Sequence, residues 1–485
     1  MRSLFLAGGV FALAAFAAPA FGDTSSREVQ SAVDAYLATA KADANLVGGA
    51  GQAGYDGGFW IRGGSFLMKI NLTLQTRWEG FDWDDSEVEP SPGGDLSGFS
   101  LPRATLKFSG DATCDVHYYT ELEFGHSGTP FELFRSENDG PILVPGDKLV
   151  ASPASAGLVF EGIPSWQALT MLLSNRGLQN RTSAPSAQDL WGVLREGWIE
   201  YETSPYFIFR MGLVKTPTTR QLMTPPEMQQ FVDISLASAF IGQSMPGYSD
   251  RNRDYGALMH GAFGCDAEFQ YMVGVTNGDG AVHRNVLDGT TSDNFAYSAR
   301  FNWDIRGHIG YEEGALRSVE CGWAASVGAW THYYADAGQH NPFEKFADRF
   351  TYGADAAFQW GGLSVTAAYS AFTWSPPDGV SSDDLEGMSA LAQVGYLVPG
   401  TAWEVAGRWS MASLELPGAT GDVGVTEFGV AVTYYIDGHA DKVTLDAAFI
   451  SPEDEASIFG DVYAGYSPSF DSDAMLIRLQ WQLAL

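Results

Sequence analysis

Beyond residue 22 the chain has no apolar run long enough to cross a membrane as a helix, which takes about 20 consecutive residues. Its mean hydropathy is -0.08, the value of a soluble protein. A transmembrane β-barrel gives the same average, because lipid-facing and lumen-facing residues alternate and cancel in any window. Basic residues are also scarce: 27 Lys and Arg stand against 59 Asp and Glu, for a formal charge of -32. That deficit argues against nucleic acid as a partner, since such binding rests on neutralising phosphates. It fits an acidic external surface and says nothing about a pore, which only a small subset of residues would line. Cysteine is limited to Cys114, Cys265 and Cys321, an odd number whose separations match no metal motif. We read them as structural residues near periplasmic strand ends. No metal-ligand cluster, phosphate-cradling glycine loop or nucleotide fingerprint stands in a convincing context. His117, His260 and His332 fall in strands, but no Ser–His pair with a third orienting group accompanies them, as a barrel phospholipase would need. The expectation is therefore a protein that is not an enzyme and carries no cofactor or metal.

What the chain has instead is glycine, aromatics and patterned alternation. Residues 1–22 read as a secretory signal, with Arg2, an apolar core from Leu4 to Phe16, and small residues from Ala17 to Gly22. Residues 23–58 hold a short amphipathic helix over 27–45, on the periplasmic side, and a glycine-rich linker over 47–58. Val29, Val33, Tyr36, Leu37 and Ala40 recur at helical spacing in that helix.

From residue 59 to 485 the period is two. Met68, Ile70, Leu72, Leu74 and Trp78 share one face of a segment whose other face is Lys69, Asn71, Thr73, Gln75 and Arg77. The last segment sets Met475, Ile477, Leu479, Trp481, Leu483 and Leu485 against Arg478, Gln480 and Gln482. Strands of about ten residues with aromatics toward their ends match a membrane band. The alternation yields about 16 such segments, from 65–78 to 473–485. The fold class expected is all-β: a transmembrane antiparallel β-barrel of about 16 strands, preceded by the N-terminal helix.

Connection lengths support the count. Those after even-numbered segments are tight, as at Gly361–Gly362 and Asp437 to His439, and those after odd-numbered segments are long and polar. Short periplasmic turns and long external loops are the habit of such barrels. Only 305–320 breaks the rule. Residues 126–193 read as an external insertion. Residues 215–252 form the third long connection and carry Phe231, Val232, Ile234, Leu236, Phe240 and Ile241, too apolar for a loop in water. Folding it into the lumen would bury these side chains and make a constriction; a subunit contact is the other reading.

The runs WIEYETSPYFIFRMGLVKTPTTRQL, FVDISLAS, SDRNRDYGALMHGAF and FQYMVGVTNGDG, in that order, resemble the phosphate-selective porin O and P family. GYDGGFWIRGGSFLMKINLTLQTRWEGF near the start and IRLQW near the end also fit. The resemblance touches most of 55–485. It departs at Ile234, where the family has Arg after the Asp, at the insertion, and at Leu485, where an aromatic is usual. It implies an outer-membrane homotrimer, in contact with outer-membrane lipid, whose third loop constricts a passive path for small anionic solutes such as phosphate.

Alternation sends Lys69, Arg77, Arg103, Lys107, Arg210, Arg300, Arg408 and Arg478 to the lumen, with Lys215, Arg220, Arg251 and Arg253 at or near the third loop. A basic track would ease a phosphate out of water, Arg offering paired donors. Lipid, however, drives every strand charge inward whatever the solute. Glu121, Glu123, Glu200, Glu202, Glu268, Asp304, Glu404 and Asp446 project inward by the same rule. A non-selective diffusion porin, or a barrel that anchors the envelope, stays open beside the anion channel.

Overall fold

The computed structural model describes residues 51–55, 58–83, 96–124, 148–151, 158–161, 194–243, 252–264, 266–278, 295–316, 322–335, 348–375, 384–415, 422–453 and 473–485. The signal 1–22, the helix 27–45, half of the linker and most of the insertion, Arg251, Cys265 and Cys321 lie outside the described residues. The chain divides into two compact units, Met1–Lys69 and Ile70–Leu485. In the first, Gln52–Tyr55 pairs antiparallel with Phe59–Gly63, and the Tyr55 and Phe59 rings meet edge to face at 5.2 Å. In the insertion, Lys148–Ala151 pairs with Leu158–Glu161.

The second unit is a closed antiparallel barrel of 16 strands. They are β1 (Phe66–Trp83), β2 (Leu96–Asp111), β3 (Val116–Glu123), β4 (Leu194–Ser204), β5 (Phe207–Lys215), β6 (Arg253–Phe263), β7 (Phe269–Thr276) and β8 (Ala296–Arg306). The second half comprises β9 (Trp323–Tyr334), β10 (Asp348–Trp360), β11 (Leu363–Ser375), β12 (Leu385–Leu397), β13 (Trp403–Glu415), β14 (Asp422–Asp437), β15 (Asp441–Glu453) and β16 (Ala474–Ala484). Each strand pairs with the next, and β16 returns to β1 from Ala474↔Trp83 to Ala484↔Thr73. The seam ends on reciprocal backbone bonds between Leu72 and Leu485, of 3.1 and 2.8 Å. Closure leaves no ladder groups unpaired at an edge, the condition lipid imposes on a sheet.

The expected strand map holds throughout, and so does the alternation of connections except between β8 and β9. At the β10–β11 hairpin, Gly361 and Gly362 take φ 55° and 93°. Positive φ at both central residues suits a two-residue hairpin turn to the twist of the strands.

Burial is inverted relative to a soluble fold. Along β10, Arg349, Thr351, Asp355 and Gln359 are buried while Phe350, Tyr352 and Trp360 are exposed. On β14, Glu427 and Thr433 are buried while Phe428, Val430 and Val432 face out. A polar interior within an apolar exterior is stable only where the surroundings are hydrocarbon. Val430 lies midway along β14 and is 63% exposed. Val430→Arg is therefore expected to cost about 2–4 kcal/mol, the cost of a cation at the bilayer midplane. Folding titrations into lipid vesicles with urea would read that loss.

Candidate pore constriction

The connection from β5 to β6 leaves the wall through a pinched neck. Thr216 N donates to Asn252 O at 2.8 Å, and Asn252 Nδ2 donates to Thr216 O at 2.6 Å. Inside lie a single turn, α1 (Arg220–Met223), and an eight-residue helix, α2 (Leu236–Gln243). Pro225 and Pro226 stop α1, because proline has no N–H to continue the ladder. Ser235 caps α2: its Oγ accepts from Ser238 N at 3.2 Å.

The apolar residues of this third loop find their partners on the inner wall. Leu222, Leu236, Phe240 and Ile241 join Trp330, Phe372, Trp374, Leu385, Leu414 and Leu476 in one buried cluster. Phe240 and Phe372 have ring centroids 5.5 Å apart. The loop therefore packs into the lumen, against β11 to β13 among other strands.

Ion pairs secure the loop's polar edge. Asp233 Oδ2 accepts from Arg77 Nη1 at 2.8 Å and from Arg478 Nη1 at 3.3 Å, and its carbonyl accepts from Arg408 Nη1 at 2.9 Å. Behind it, Arg478 is held in a bidentate pair by Asp446 at 2.8 and 2.7 Å. Asp446 also accepts from Val232 N at 3.0 Å. Arg408 pairs with Glu427, which accepts in turn from Ser410 Oγ at 2.6 Å and from Leu236 N at 2.8 Å. Wall carboxylates thus satisfy loop N–H groups, and wall guanidiniums satisfy loop oxygens, as a buried backbone requires.

A second node lies at the loop's root. Arg300 on β8 meets Asp355 on β10 in a bidentate pair at 2.7 and 2.8 Å, with both side chains 0% exposed. Asp355 also accepts from Arg220 N at 3.1 Å, and Arg300 donates to Thr218 O. The pair spans the intervening β9 because residue 328 is glycine. A Cβ there would stand 2.6 Å from Arg300 Nη2 and 2.8 Å from Asp355 Oδ1.

The remaining residues expected along the path are placed as follows. Lys69, near the start of β1, is exposed. Arg103 donates to Gln75 Oε1 at 2.9 Å, and Lys107 pairs with Glu227 of the loop. Burial pushes the Glu227 carboxyl up, but the Lys107 ammonium and the hydrogen bonds outweigh it and hold the group below the usual carboxylate range. Arg210 pairs with Glu200 at 2.7 Å and stacks 3.9 Å from the Trp198 ring centroid. Lys215 donates to Met223 O at 3.1 Å, and Arg253 meets Glu196 at 3.3 Å. The structure gathers Arg77, Arg408 and Arg478 at Asp233, and Arg220 and Arg300 at Asp355. The loop carboxylates and Arg195, which bonds Glu121 at 3.0 Å, were not singled out by the sequence. Register carried a signal for two of these pairs, since Asp446 and Arg478, and likewise Glu200 and Arg210, are direct cross-strand partners.

Hydration differs around the wall. The pairs Arg300–Asp355, Arg408–Glu427 and Arg478–Asp446, beneath the loop, are at most 2% exposed. Lys107 and Glu227 are each 15% exposed, and Arg210 reaches 21%. Lys107 on β2 and Arg210 on β5 are thus less deeply covered than the pairs beneath the loop, while Arg103, Glu121 and Arg195 on β2 to β4 are 5–8% exposed.

Removing one partner of a buried pair strands the other. Glu427→Ala is expected to destabilise the barrel by about 3–5 kcal/mol, while the paired change Arg408→Met with Glu427→Leu removes the stranded charge and recovers only part of that loss, because Leu236 N and Asp233 O lose their partners. Gly328→Ala should weaken the Arg300–Asp355 node in the same direction. Urea midpoints in lipid would rank these variants.

No family model matches this chain, and no curated protein matches it. Among solved structures, the anion-selective porin from Comamonas acidovorans superposes with a TM-score of 0.51 at 12% identity, covering 86% of this chain and 99% of that one. The Salmonella typhi OmpF complex with daunomycin gives 0.48 at 10% identity, over 89% and 100%. Outer-membrane expressed OmpT of Vibrio cholerae gives 0.47 at 9%, over 88% and 100%. At such identities the likeness is one of fold: this chain forms a 16-stranded barrel of the porin type, whose apolar exterior belongs in an outer membrane.

Proposed function

We propose that this protein is an outer-membrane channel for the passive diffusion of small hydrophilic solutes. The observation that carries the reading is the third loop, packed inside a polar lumen where Lys107 and Arg210 keep 15% and 21% of their side-chain exposure. A loop so placed narrows a water path without closing a hydrophobic core across it.

Selectivity follows from what the lumen charges face. Arg77, Lys107, Arg210, Arg253, Arg300, Arg408 and Arg478 each lie beside a carboxylate. A guanidinium already saturated by a carboxylate offers a passing anion little, so a weakly selective channel is the better-supported form. Preference for phosphate or other anions, implied by the family resemblance, draws its support from Arg195, Lys215 and Arg253 clustered around Glu121 and Glu196. The same resemblance supports assembly as a homotrimer.

Planar bilayers test this directly. The expected result is stable ohmic conductance with a small reversal potential across a potassium chloride gradient. Absence of conductance from correctly folded protein would refute the channel. A reversal potential close to that of chloride, with conductance falling on addition of phosphate, would replace weak selectivity by the anion reading.

A further inference from the structure

The β8–β9 connection lies on the tight-turn end of the barrel yet spans 307–322, where neighbouring turns need only a few residues. Its described part begins at the exposed Gly307 and His308 and turns inward from Ile309 to 316. Ile309 and Glu313 are each 4% exposed and Ala315 is 0% exposed. The segment meets the third loop along its length. Arg220 Nη1 donates to Gly310 O at 2.7 Å, and Glu313 N donates to Met228 O at 2.9 Å. The Glu313 carboxylate accepts three amide donors, each at 2.9 Å: Gln221 Nε2 on one oxygen, and Gln230 N and Gln393 Nε2 on the other. The segment is also tied to the wall. Tyr311 OH accepts from Arg300 Nε at 3.1 Å, and Gly314 O accepts from Gln359 Nε2 at 2.6 Å.

We propose that residues 307–316 form a second constriction element, which enters from the tight-turn end and locks the third loop from that side, with Glu313 as its positioning residue. The proposal rests on reading the barrel as a diffusion channel. The stretch between α1 and α2 explains the need for such a lock. Broken by Pro225 and Pro226, it cannot satisfy its own backbone, and Met228 O and Gln230 N need partners inside the barrel. The inserted segment supplies both. The clamp requires a carboxylate, because its three partners, two side-chain amides and one backbone N–H, are all donors and both oxygens must accept. A glutamine in its place would turn an NH₂ group toward a donor. The width of the path is thus set by two segments braced against each other.

Glu313→Gln tests this, with backbone hydrogen exchange and conductance measured on the full protein in lipid. Amides of residues 228–235 are expected to exchange about tenfold faster or more, the effect of losing a hydrogen bond to a charged group, with strand amides unchanged. Single-channel conductance and the largest sugar admitted in liposome swelling should both rise. Glu313→Asp, which keeps both acceptors, should fall between the wild type and the Gln variant. Should Glu313→Gln not fold, Glu313→Ala, which places no amide against the donors, carries the same comparison. Unchanged exchange at 228–235 would overturn the clamp. Faster exchange with unchanged conductance and sugar cutoff would overturn its role in setting the width. A wild type that conducts nothing would refute the channel reading, while the exchange comparison still decides whether Glu313 holds the loop.

Discussion

Lipid on the outside of a barrel forces the charges of its strands inward, and once inside they must find partners. A cation facing hydrocarbon at the midplane costs several kcal/mol, so each strand delivers its Arg, Lys, Asp and Glu to the lumen. Under the third loop, water is almost excluded, and an isolated charge there would be costlier still. The bidentate pairs Arg478–Asp446 and Arg300–Asp355 answer that constraint. They also supply the fixed donors and acceptors on which the loop backbone rests.

The loop is held by two kinds of force on two sides. Its helix α2 buries Leu236, Phe240 and Ile241 against wall aromatics such as Phe372 and Trp374. Its other edge is ionic, with Asp233 shared by three arginines from β1, β13 and β16. Apolar burial gives the loop its seat and the ion pairs fix its orientation. Glycine is used where side chains must cross: only a residue without Cβ at 328 lets Arg300 and Asp355 join over β9.

The fold was legible because its determinants are local. A two-residue period and the alternation of tight and long connections placed all sixteen strands, and the apolar run from Phe231 to Ile241 announced a loop that packs inside. The odd connection at 305–320 stood out in the sequence as an exception. Its inward path explains why it is long. The inward burial of Arg77, Arg103, Arg300, Arg408 and Arg478 follows the alternation, while Lys69 is exposed. What the arginines do inside was not legible. Read alone, Arg77, Arg408 and Arg478 form a basic track on β1, β13 and β16. In the fold each is turned toward a carboxylate, and Asp233 reaches Arg77 across 156 residues of sequence.

The sequence by itself determined the barrel, its strand number, which face of each strand meets lipid, and which loop enters the lumen. These follow from periodicity, turn chemistry and hydrophobic content, all of which act over a few residues. Only the tertiary structure decided how charge is distributed along the path. That depends on which carboxylate faces which guanidinium across strands and loops far apart in the chain, and on where a glycine leaves room for them to meet. Alternation fixes the side of the sheet on which a charge lies, while its partner is chosen by closure of the barrel and by the seating of two inserted segments.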